Sequence, residues 1–280
     1  MAEFTKAFVL GHPIAHSRSP LIHNHWIKTY GLKGSYEAID VAPGTLDEFL
    51  NRVRSGEFAG GNITVPLKEE AYSAVDALTD TAKSIGAVNT VYMENGKLWG
   101  DNTDAYGFSA NLADRTHDWA NKHTALVIGA GGAARAIVKS LMDAGFAEIR
   151  ILNRTLNRAE ELAQAFGPIV RAAPLADFAK LVPAADLIVN TSSIGLDGKD
   201  EMSFNFSHAK PSALVTDIVY VPLQTGFLKS AQLAGLKTID GLGMLLHQAV
   251  PGFERWFGAR PDVTLQLRAM IEADLFKEKP

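Results

Sequence analysis

The sequence predicts an α/β protein of two domains, and three observations support this class. Segments of strand and helix character alternate along the chain, which favours sheets built with helical crossovers. Two strand segments, 186–190 and 213–217, are largely apolar, as expected of a parallel sheet that is buried on both faces. The length of 280 residues is ordinarily divided between two domains.

Composition limits the classes of partner and chemistry. The chain is 47% hydrophobic and 21% charged, which is typical of globular proteins, and its net charge of −4 gives no reason to expect nucleic acid or an anionic membrane as a partner. The sequence contains no run of about 18 apolar residues, so no membrane-spanning helix is predicted. The absence of cysteine excludes disulfides and thiolate chemistry and favours the cytoplasm as the location.

The first part of the chain has the pattern of a separate α/β domain. Strands are predicted over 8–10, 35–41 and 62–65, and helices over 21–30 and 45–54. Pro66 is expected in the first turn of a further helix. Segments 88–93 and 97–99 flank Asn95-Gly96, a pair that favours a two-residue hairpin turn. A helix from 103 to about 113 leads out of this domain.

The second part repeats strand and helix more regularly. The polar stretch 114–124 marks a candidate boundary, and strands are predicted over 125–128 and 148–152, with helices from the first strand to 145 and over 156–166. Together with the two apolar strands, this order predicts a Rossmann-type doubly wound sheet. Closing helices over 242–256 and 263–275 carry apolar residues at helical spacing, and we expect them to pack back on the N-terminal domain.

A glycine-rich turn follows the strand at 125–128. Its residues are Gly129, Ala130, Gly131, Gly132, Ala133 and Ala134. The first glycine permits a tight turn, the second lets a pyrophosphate approach the backbone, and the small Ala134 lets the helix pack against the strand. The N–H groups at the helix start would then face the phosphates. The turn therefore predicts a dinucleotide site.

The end of the next strand indicates which dinucleotide binds. Asn153 stands 24 residues after Gly129, about where NAD-binding sites place an acid on the ribose 2′-hydroxyl. Arg154 and Thr155 follow instead of an acid, and Arg158 lies one helical turn further on. A guanidinium binds a 2′-phosphate bidentately, whereas a carboxylate would repel it. We predict NADP rather than NAD; the alternative is that both arginines form an ordinary solvated face.

These features divide the chain by expected ligand. We predict a substrate-binding catalytic domain over 1–105, to which residues 242–280 return, and an NADP-binding Rossmann-like domain over 106–241. In the first domain, polar segments at 11–20, 61–68, 87–90 and 101–107 follow strands, where ligands collect in open α/β sheets. They supply hydroxyls, amides, an ammonium and a carboxylate, which suit a small polyhydroxylated acid.

The order of these motifs closely resembles the shikimate dehydrogenase family. The matching segments are HSxSP at 16–20, NxTxPxK at 62–68, AVNT at 87–90, NTDxxG at 102–107, GxGGAxR at 129–135, NRT at 153–155, DxxY at 217–220 and a late glutamine at 248. The resemblance covers nearly the whole chain. It implies the NADP-linked interconversion of 3-dehydroshikimate and shikimate, a step of aromatic amino-acid and chorismate biosynthesis.

The resemblance also implies roles for the matching residues. Lys68 and Asp104 match the catalytic pair. The positions that match substrate contacts are Ser17 and Ser19 for the carboxylate, Asn62, Thr64, Asn89 and Gln248 for the ring hydroxyls, and Tyr220 near the substrate. The positions that match cofactor contacts are the glycine turn, residues 153–155, Arg158, the loop 190–195 with Thr191 and Ser192, and Gly241 and Met244 at the nicotinamide.

The implied chemistry is a hydride transfer that leaves negative charge on the ketone oxygen. Lys68 would give that oxygen a proton or a charge-assisted hydrogen bond, and Asp104 would orient the ammonium and keep it charged. The eight histidines lack the spacing of a metal site, so we predict no metal.

Three alternatives stay open. A quinate/shikimate dehydrogenase that prefers NAD is disfavoured by Arg154 and by Ser19, since quinate-preferring relatives carry threonine there. A nucleotide-sensing regulator is disfavoured because both Lys68 and Asp104 are present. A Rossmann methyltransferase has no feature in its favour. The sequence leaves the oligomeric state undetermined, with a homodimer among the options, as well as the extent of domain closure over the ligands.

Overall fold

The computed structural model describes residues 4–192 and 204–277, and its fold is α/β, as predicted. Two compact units divide the described residues. One contains the residues up to Thr103 together with those from Leu246 onward, and the other runs from Asp104 to Leu245. The predicted limits at 105 and 241 lie close to these divisions, and the polar stretch 114–124 lies inside the second unit.

The first unit is built on a six-stranded mixed sheet. Its strands are β1 (Thr5–Gly11), β2 (Gly34–Asp40), β3 (Gly60–Ile63), β4 (Ala77–Leu78), β5 (Thr90–Glu94) and β6 (Lys97–Asp101), in the order β2-β1-β3-β5-β6-β4. β1 runs parallel to β2 and β3, whereas β5 is antiparallel to β3 and β6. The hairpin turn is the predicted one, because Asn95 (φ 51°) and Gly96 (φ 73°) both have positive φ.

Helices from both ends of the chain cover this sheet. They are α1 (Ser19–Thr29), α2 (Leu46–Arg54), α3 (Lys68–Ala74), α4 (Asp80–Ile85), α10 (Leu242–Phe257) and α11 (Leu265–Lys277). Of α10, only the residues from Leu246 onward belong to this unit. The Trp256 indole donates to Val91 O at 3.0 Å. Gly60 makes this approach possible: its φ is +148°, and an ideal Cβ there would overlap Trp256 Nε1. The predicted return of the C-terminal helices is confirmed.

The second unit contains a fully parallel sheet. In the part of the chain that the structure describes, its strands are β7 (Thr124–Ile128), β8 (Glu148–Asn153), β9 (Val170–Pro174), β10 (Leu187–Asn190), β11 (Leu214–Asp217) and β12 (Lys237–Ile239). Their order is β12-β11-β10-β7-β8-β9, the doubly wound arrangement that was predicted. The order reverses between β7 and β10, and ligands bind at such a switch point.

In the described residues of the second unit, one helix leads into β7 and the others follow strands of the sheet. They are α5 (Asp104–Arg115), α6 (Gly132–Asp143), α7 (Leu156–Phe166), α8 (Phe178–Leu181) and α9 (Gly226–Leu233). Every residue of β7 is buried, and Ala134 of α6 lies in the same core cluster as Val127 of that strand. The small side chain at 134 therefore allows close helix–strand packing, as the turn predicts. Across residues 4–192 and 204–277, no helix is both long enough and apolar enough to cross a membrane.

One local prediction is wrong. Pro66 does not lie in the first turn of α3, since that helix begins at Lys68. Pro66 lies instead inside a turn that closes when Leu67 N–H donates to Thr64 O at 2.9 Å. Residues 64–67 form this turn, so the helix cannot begin among them. Lys68 is consequently the first helical residue after β3.

Candidate active site

The glycine turn lies at the switch point of the parallel sheet. Gly129 follows β7 with φ +106°, and an ideal Cβ there would lie 2.8 Å from Thr191 Oγ1 and 3.1 Å from Ser192 N. Thr191 is tied to the same strand, because its hydroxyl donates to Ile128 O at 2.8 Å. Only glycine therefore lets the turn after β7 approach the loop after β10 this closely. The structure brings Gly129, Thr191 and Ser192 together.

The remaining glycines of the turn leave open space. α6 begins at Gly132, with Gly131 as the residue before it, and both are exposed. An ideal Cβ at either glycine has no described protein atom within 4 Å. Ala130 and Ala133, the other two predicted contacts, are half-buried. Open space at a helix start suits a phosphate group, so the turn fits a dinucleotide.

The two arginines lie at the next helix start. Asn153 ends β8, and its side-chain amide donates to Thr155 O at 2.8 Å, which fixes the turn into α7. Arg154, Thr155 and Arg158 are exposed, and Arg158 lies in the first turn of α7. The predicted 2′-phosphate residues are thus grouped at one strand–helix junction.

A buried carboxyl connects the loops after β10 and β11. Asp217 is fully buried; its carboxylate accepts hydrogen bonds from Asn190 Nδ2 (3.1 Å), Val219 N (3.0 Å) and Thr225 Oγ1 (2.7 Å). Asn190 Oδ1 in turn accepts from Ser192 Oγ at 2.7 Å. Burial raises the pKa of Asp217 to about 6, although the three donors act in the opposite direction. Sequence reasoning missed this role, even though Asp217 opens the DxxY motif.

Asp217 should make stability depend on pH in a window that can be measured. The carboxyl has a pKa of about 6 in the folded protein against 3.8 for the free group, so the folded state binds more protons between these values. Stability must then fall as pH rises through that window. We expect wild type to lose up to about 3 kcal/mol relative to Asp217→Asn between pH 4 and 6.5, and nothing further above it.

Chemical unfolding of both proteins from pH 4 to 8 measures this difference. Asp80→Asn is the matched control, because the Asp80 side chain is fully exposed. Parallel stability curves for wild type and Asp217→Asn would show that Asp217 titrates normally.

The predicted residues beside Asp217 lie on the same end of the sheet. Tyr220 is half-buried and follows the end of β11 closely, in the loop that Asp217 anchors. Gly241 is buried, and an ideal Cβ there would overlap Ile218 O. Met244 is half-buried and packs against the same core as Ile218. The predicted cofactor loop 190–195 is described only as far as Ser192; residues 193–195 lie outside the described part.

Two asparagines that are predicted to contact the substrate, Asn62 and Asn89, lie close together where β3 pairs with β5. Asn62 and Asn89 are almost fully buried, at 5% and 3% exposure. Asn62 Nδ2 donates to Asn89 O at 3.1 Å, and Tyr36 Oη donates to Asn62 Oδ1 at 2.6 Å. Asn89 Oδ1 accepts from Thr103 N at 2.8 Å. Each amide is therefore held in one orientation inside the first unit.

Lys68 lies beside this pair along the backbone. As the first residue of α3 it is half-buried, and its carbonyl accepts from Val88 N at 3.0 Å. This bond places the start of α3 next to the residue that precedes Asn89. Thr64, also half-buried, is anchored through its N–H to Leu10 O at 2.8 Å. The NxTxPxK segment thus folds as one tight connection between β3 and α3.

The serine pair forms the start of α1. Ser19 is buried and opens the helix, and its N–H donates to Ser17 Oγ at 3.3 Å. Arg18 between them is also buried; it donates to His16 O at 2.7 Å and pairs with Asp274 of α11 at 3.4 Å. These contacts fix the loop, so the two predicted carboxylate-binding serines are held close together.

The last predicted residues sit at helix positions. Gln248 is half-buried on α10, in the part that belongs to the first unit. Asp104 is half-buried at the first position of α5, directly after the buried Asn102 and Thr103. Lys68 belongs to the first unit and Asp104 opens the second, and the pairing of the two stays a prediction.

His12 and His23 contact protein side chains. His12 pairs with Asp40 at 2.7 Å. His23 is fully buried and stacked on the Tyr36 ring, with centroids 3.9 Å apart, and burial lowers its pKa to about 3 although Asn62 acts in the opposite direction. Over the described ranges, no three histidine, aspartate or glutamate side chains are grouped so that they could hold a metal ion.

Comparison with known proteins gives matches along the whole chain. The family model of the shikimate dehydrogenase substrate binding domain matches residues 9–91. The model of shikimate / quinate 5-dehydrogenase matches residues 111–220, and that of the shikimate 5′-dehydrogenase C-terminal domain matches residues 241–271.

Individual relatives cover nearly the full length. The chain is 54% identical over 280 residues to a shikimate dehydrogenase (NADP(+)) of Brucella abortus, and the match covers 99% of this chain and 97% of that relative. A Mesorhizobium japonicum protein of the same name is 52% identical over 276 residues, covering 98% and 99%. The solved shikimate 5-dehydrogenase of Thermus thermophilus, in complex with NADP(H) and shikimate, is 40% identical with a TM-score of 0.84, covering 98% and 99%.

Proposed function

Because the chain belongs to the shikimate dehydrogenase family, we propose that its first unit binds the substrate and its second unit binds the nucleotide. The protein is an NADP-dependent oxidoreductase acting on a CH–OH group, and it reduces 3-dehydroshikimate to shikimate in the shikimate pathway. One observation carries this conclusion: the 54% identity to an NADP(+) shikimate dehydrogenase over 99% of the chain.

Lys68 is the proposed source of the proton. NADPH supplies a hydride when bound, and the carbonyl carbon of the substrate receives it. The carbonyl oxygen then becomes an alkoxide, which the Lys68 ammonium stabilises by a charge-assisted hydrogen bond and by proton transfer. The position of Lys68 supports this role, because the Val88 N–H bond holds its backbone next to the buried amides.

Asp104 is the proposed partner of that ammonium. A carboxylate nearby favours the charged form of a lysine and limits its directions. Buried Asn102 and Thr103 precede Asp104, and both are fixed: Asn102 Nδ2 donates to Ala87 O at 3.0 Å, and Thr103 N to Asn89 Oδ1. The backbone that leads into Asp104 is therefore tied to the amide site.

The substrate is held by groups of complementary chemistry. We assign its carboxylate to the hydroxyls of Ser17 and Ser19 and its ring hydroxyls to the polar side chains of Asn62, Thr64, Asn89 and Gln248, with Tyr220 nearby. The burial of Asn62 and Asn89 supports this assignment, since a fixed and desolvated amide discriminates strongly between hydroxyl patterns.

The nucleotide is held at the switch point. Gly129 to Ala133 form the phosphate cradle, with Thr191 and Ser192 beside it, and the open space at Gly131 and Gly132 supports this fit. Asn153, Arg154, Thr155 and Arg158 are assigned to the adenosine 2′-phosphate. Gly241 and Met244 are assigned to the nicotinamide.

An absorbance assay of NADP reduction tests the proposal. The purified protein is given shikimate or quinate with NADP or NAD, and we expect the highest kcat/KM with shikimate and NADP. A preference for NAD with quinate would overturn the assignment. The quinate/shikimate alternative is not favoured, because the Brucella abortus and Mesorhizobium japonicum relatives, at 54% and 52% identity over nearly the whole chain, are named NADP(+) shikimate dehydrogenases.

Location and assembly are assigned on fewer observations. We propose a cytoplasmic location, which the absence of cysteine supports. A homodimer is kept as one option for assembly, and light scattering during gel filtration gives the mass that decides it.

A further inference from the structure

A directed chain of hydrogen bonds runs through the buried amides of the first unit. Tyr36 Oη donates to Asn62 Oδ1 (2.6 Å), and Asn62 Nδ2 donates to Thr90 Oγ1 (3.1 Å). The Thr90 hydroxyl donates to Asn89 Oδ1 (2.9 Å), and Asn89 Nδ2 donates to Thr103 Oγ1 (3.2 Å). Thr90 and Tyr36 are among these residues, although neither has a role in the function derived so far.

Two backbone groups fix the direction of this chain. The carbonyl of Asn89 can only accept a hydrogen bond, so the Asn62 amide must present Nδ2 to it. The N–H of Thr103 can only donate, so the Asn89 amide must present Oδ1 to it. Neither amide can rotate by 180° without facing like against like. Both orientations follow from the chemistry of the backbone partners.

The position between the two amides then requires a hydroxyl. One side offers a donor, Asn62 Nδ2, and the other an acceptor, Asn89 Oδ1. A hydroxyl can accept from the first and donate to the second, and Thr90, at 0% exposure, places one there. A valine of nearly the same shape would leave both amide atoms without this partner.

Tyr36 closes the other end of the chain. Its ring is held against His23, with an interplanar angle of 10°, and its residue is 2% exposed. Burial raises the pKa of Tyr36 well above its usual value, so the hydroxyl stays protonated and donates to Asn62 Oδ1. Both Asn62 amide hydrogens are used, on Asn89 O and Thr90 Oγ1. Asn62 can therefore meet a substrate only as an acceptor, through Oδ1.

We propose that Thr90 and Tyr36 are positioning residues, which fix Asn62 as a hydrogen-bond acceptor and fix the direction of Asn89 toward the ring hydroxyls of the substrate. This inference rests on the proposed function, because it takes Asn62 and Asn89 as substrate contacts. Its consequence is selectivity: a substrate hydroxyl at Asn62 must donate, and a group that can only accept is rejected there.

Steady-state kinetics of Thr90→Val and Thr90→Ser test the proposal. We expect the valine variant to raise KM for shikimate by roughly 10-fold, the loss typical of one hydrogen bond, with KM for NADP unchanged. The serine variant keeps the hydroxyl, so its KM for shikimate should lie within about 3-fold of wild type. Tyr36→Phe, which removes only the hydroxyl, should raise KM for shikimate in the same direction and decides the matter if Thr90→Val does not fold.

Deoxy analogues sharpen the test. The analogue keeps the hydroxyl that is oxidised but lacks the ring hydroxyl that Asn62 binds. With this analogue, the rise in KM caused by Thr90→Val and by Tyr36→Phe should largely disappear. A general loss of stability would raise KM equally for shikimate and for the analogue. An unchanged KM in both variants, a rise in Thr90→Ser equal to that in Thr90→Val, or an equal rise in KM for NADP would overturn the inference. Wild-type protein that does not oxidise shikimate with NADP would contradict the proposed function instead.

Discussion

Replacing Lys68 with alanine is expected to lower turnover by roughly 10²- to 10⁴-fold, the range for loss of a general acid. In the proposed mechanism the ammonium acts on charge that develops only in the transition state, so its removal should affect kcat far more than substrate binding. KM for shikimate and for NADP should change little. Steady-state kinetics in both reaction directions, with saturating NADP or NADPH, measure the effect.

A matched lysine controls for loss of charge. Lys83→Ala serves this purpose, because Lys83 lies in the same unit, in α4, and its exposed side chain pairs with Asp80 at 3.2 Å. That variant should keep wild-type turnover. A Lys68→Ala enzyme with near-normal kcat would remove Lys68 from the catalytic role, whatever its effect on KM.

Replacing Arg154 and Arg158 together with glutamine is expected to lower kcat/KM for NADP by roughly 10²- to 10³-fold. Each substitution would remove a charge-assisted hydrogen bond to the 2′-phosphate. Because both side chains are exposed, each bond contributes less to the binding free energy than a buried one would. NAD has no 2′-phosphate, so kcat/KM for NAD should stay within about 3-fold of wild type. The ratio of the two values is the measured quantity.

Arg171→Gln is the control for this pair. Arg171 lies on β9 of the same unit, is exposed and is 3.9 Å from Glu148, so its loss should not change the cofactor ratio. An equal fall with NADP and NAD in the double variant would indicate damage to the fold. An unchanged ratio would show that the two arginines form an ordinary solvated face.

The parts of the fold that sequence predicted best are those with strong local patterns. The Asn95-Gly96 turn needs positive φ at both residues, and few other dipeptides satisfy that requirement. Every residue of β10 and β11 is buried, and the largely apolar segments 186–190 and 213–217 predicted these two strands for that reason. The predicted helix 156–166 coincides with α7.

The strands that were missed lack such patterns. β4 has two residues and β12 three, and both are held by pairing with strands distant in sequence. β9 lies at the edge of its sheet and contains Arg171 and Pro174, so its composition does not resemble that of a buried strand. Tertiary pairing decides these segments, and it is not encoded in a short window.

The candidate site shows the same division. The family resemblance predicts Asn62 and Asn89 as substrate contacts, but which amide atom faces which partner depends on Thr103 N and on Asn89 O, a contact across the β3–β5 pairing. The pKa of Asp217 follows from its complete burial, which no local pattern indicates. Tyr36 carries no motif at all, since in the sequence it is one aromatic residue of a strand.

The contact of Trp256 with Gly60 and Val91 affects the order in which the two units can be completed during synthesis. Residues 104–245 are contiguous, so the ribosome has synthesised the whole second unit before it reaches α11. The six-stranded sheet of the first unit is completed later, because the indole that donates to Val91 O lies on α10, beyond the residues of the second unit. A polypeptide that stops at residue 245 would therefore retain every residue of the second unit but lack the part of the first unit that follows Leu245, including Trp256.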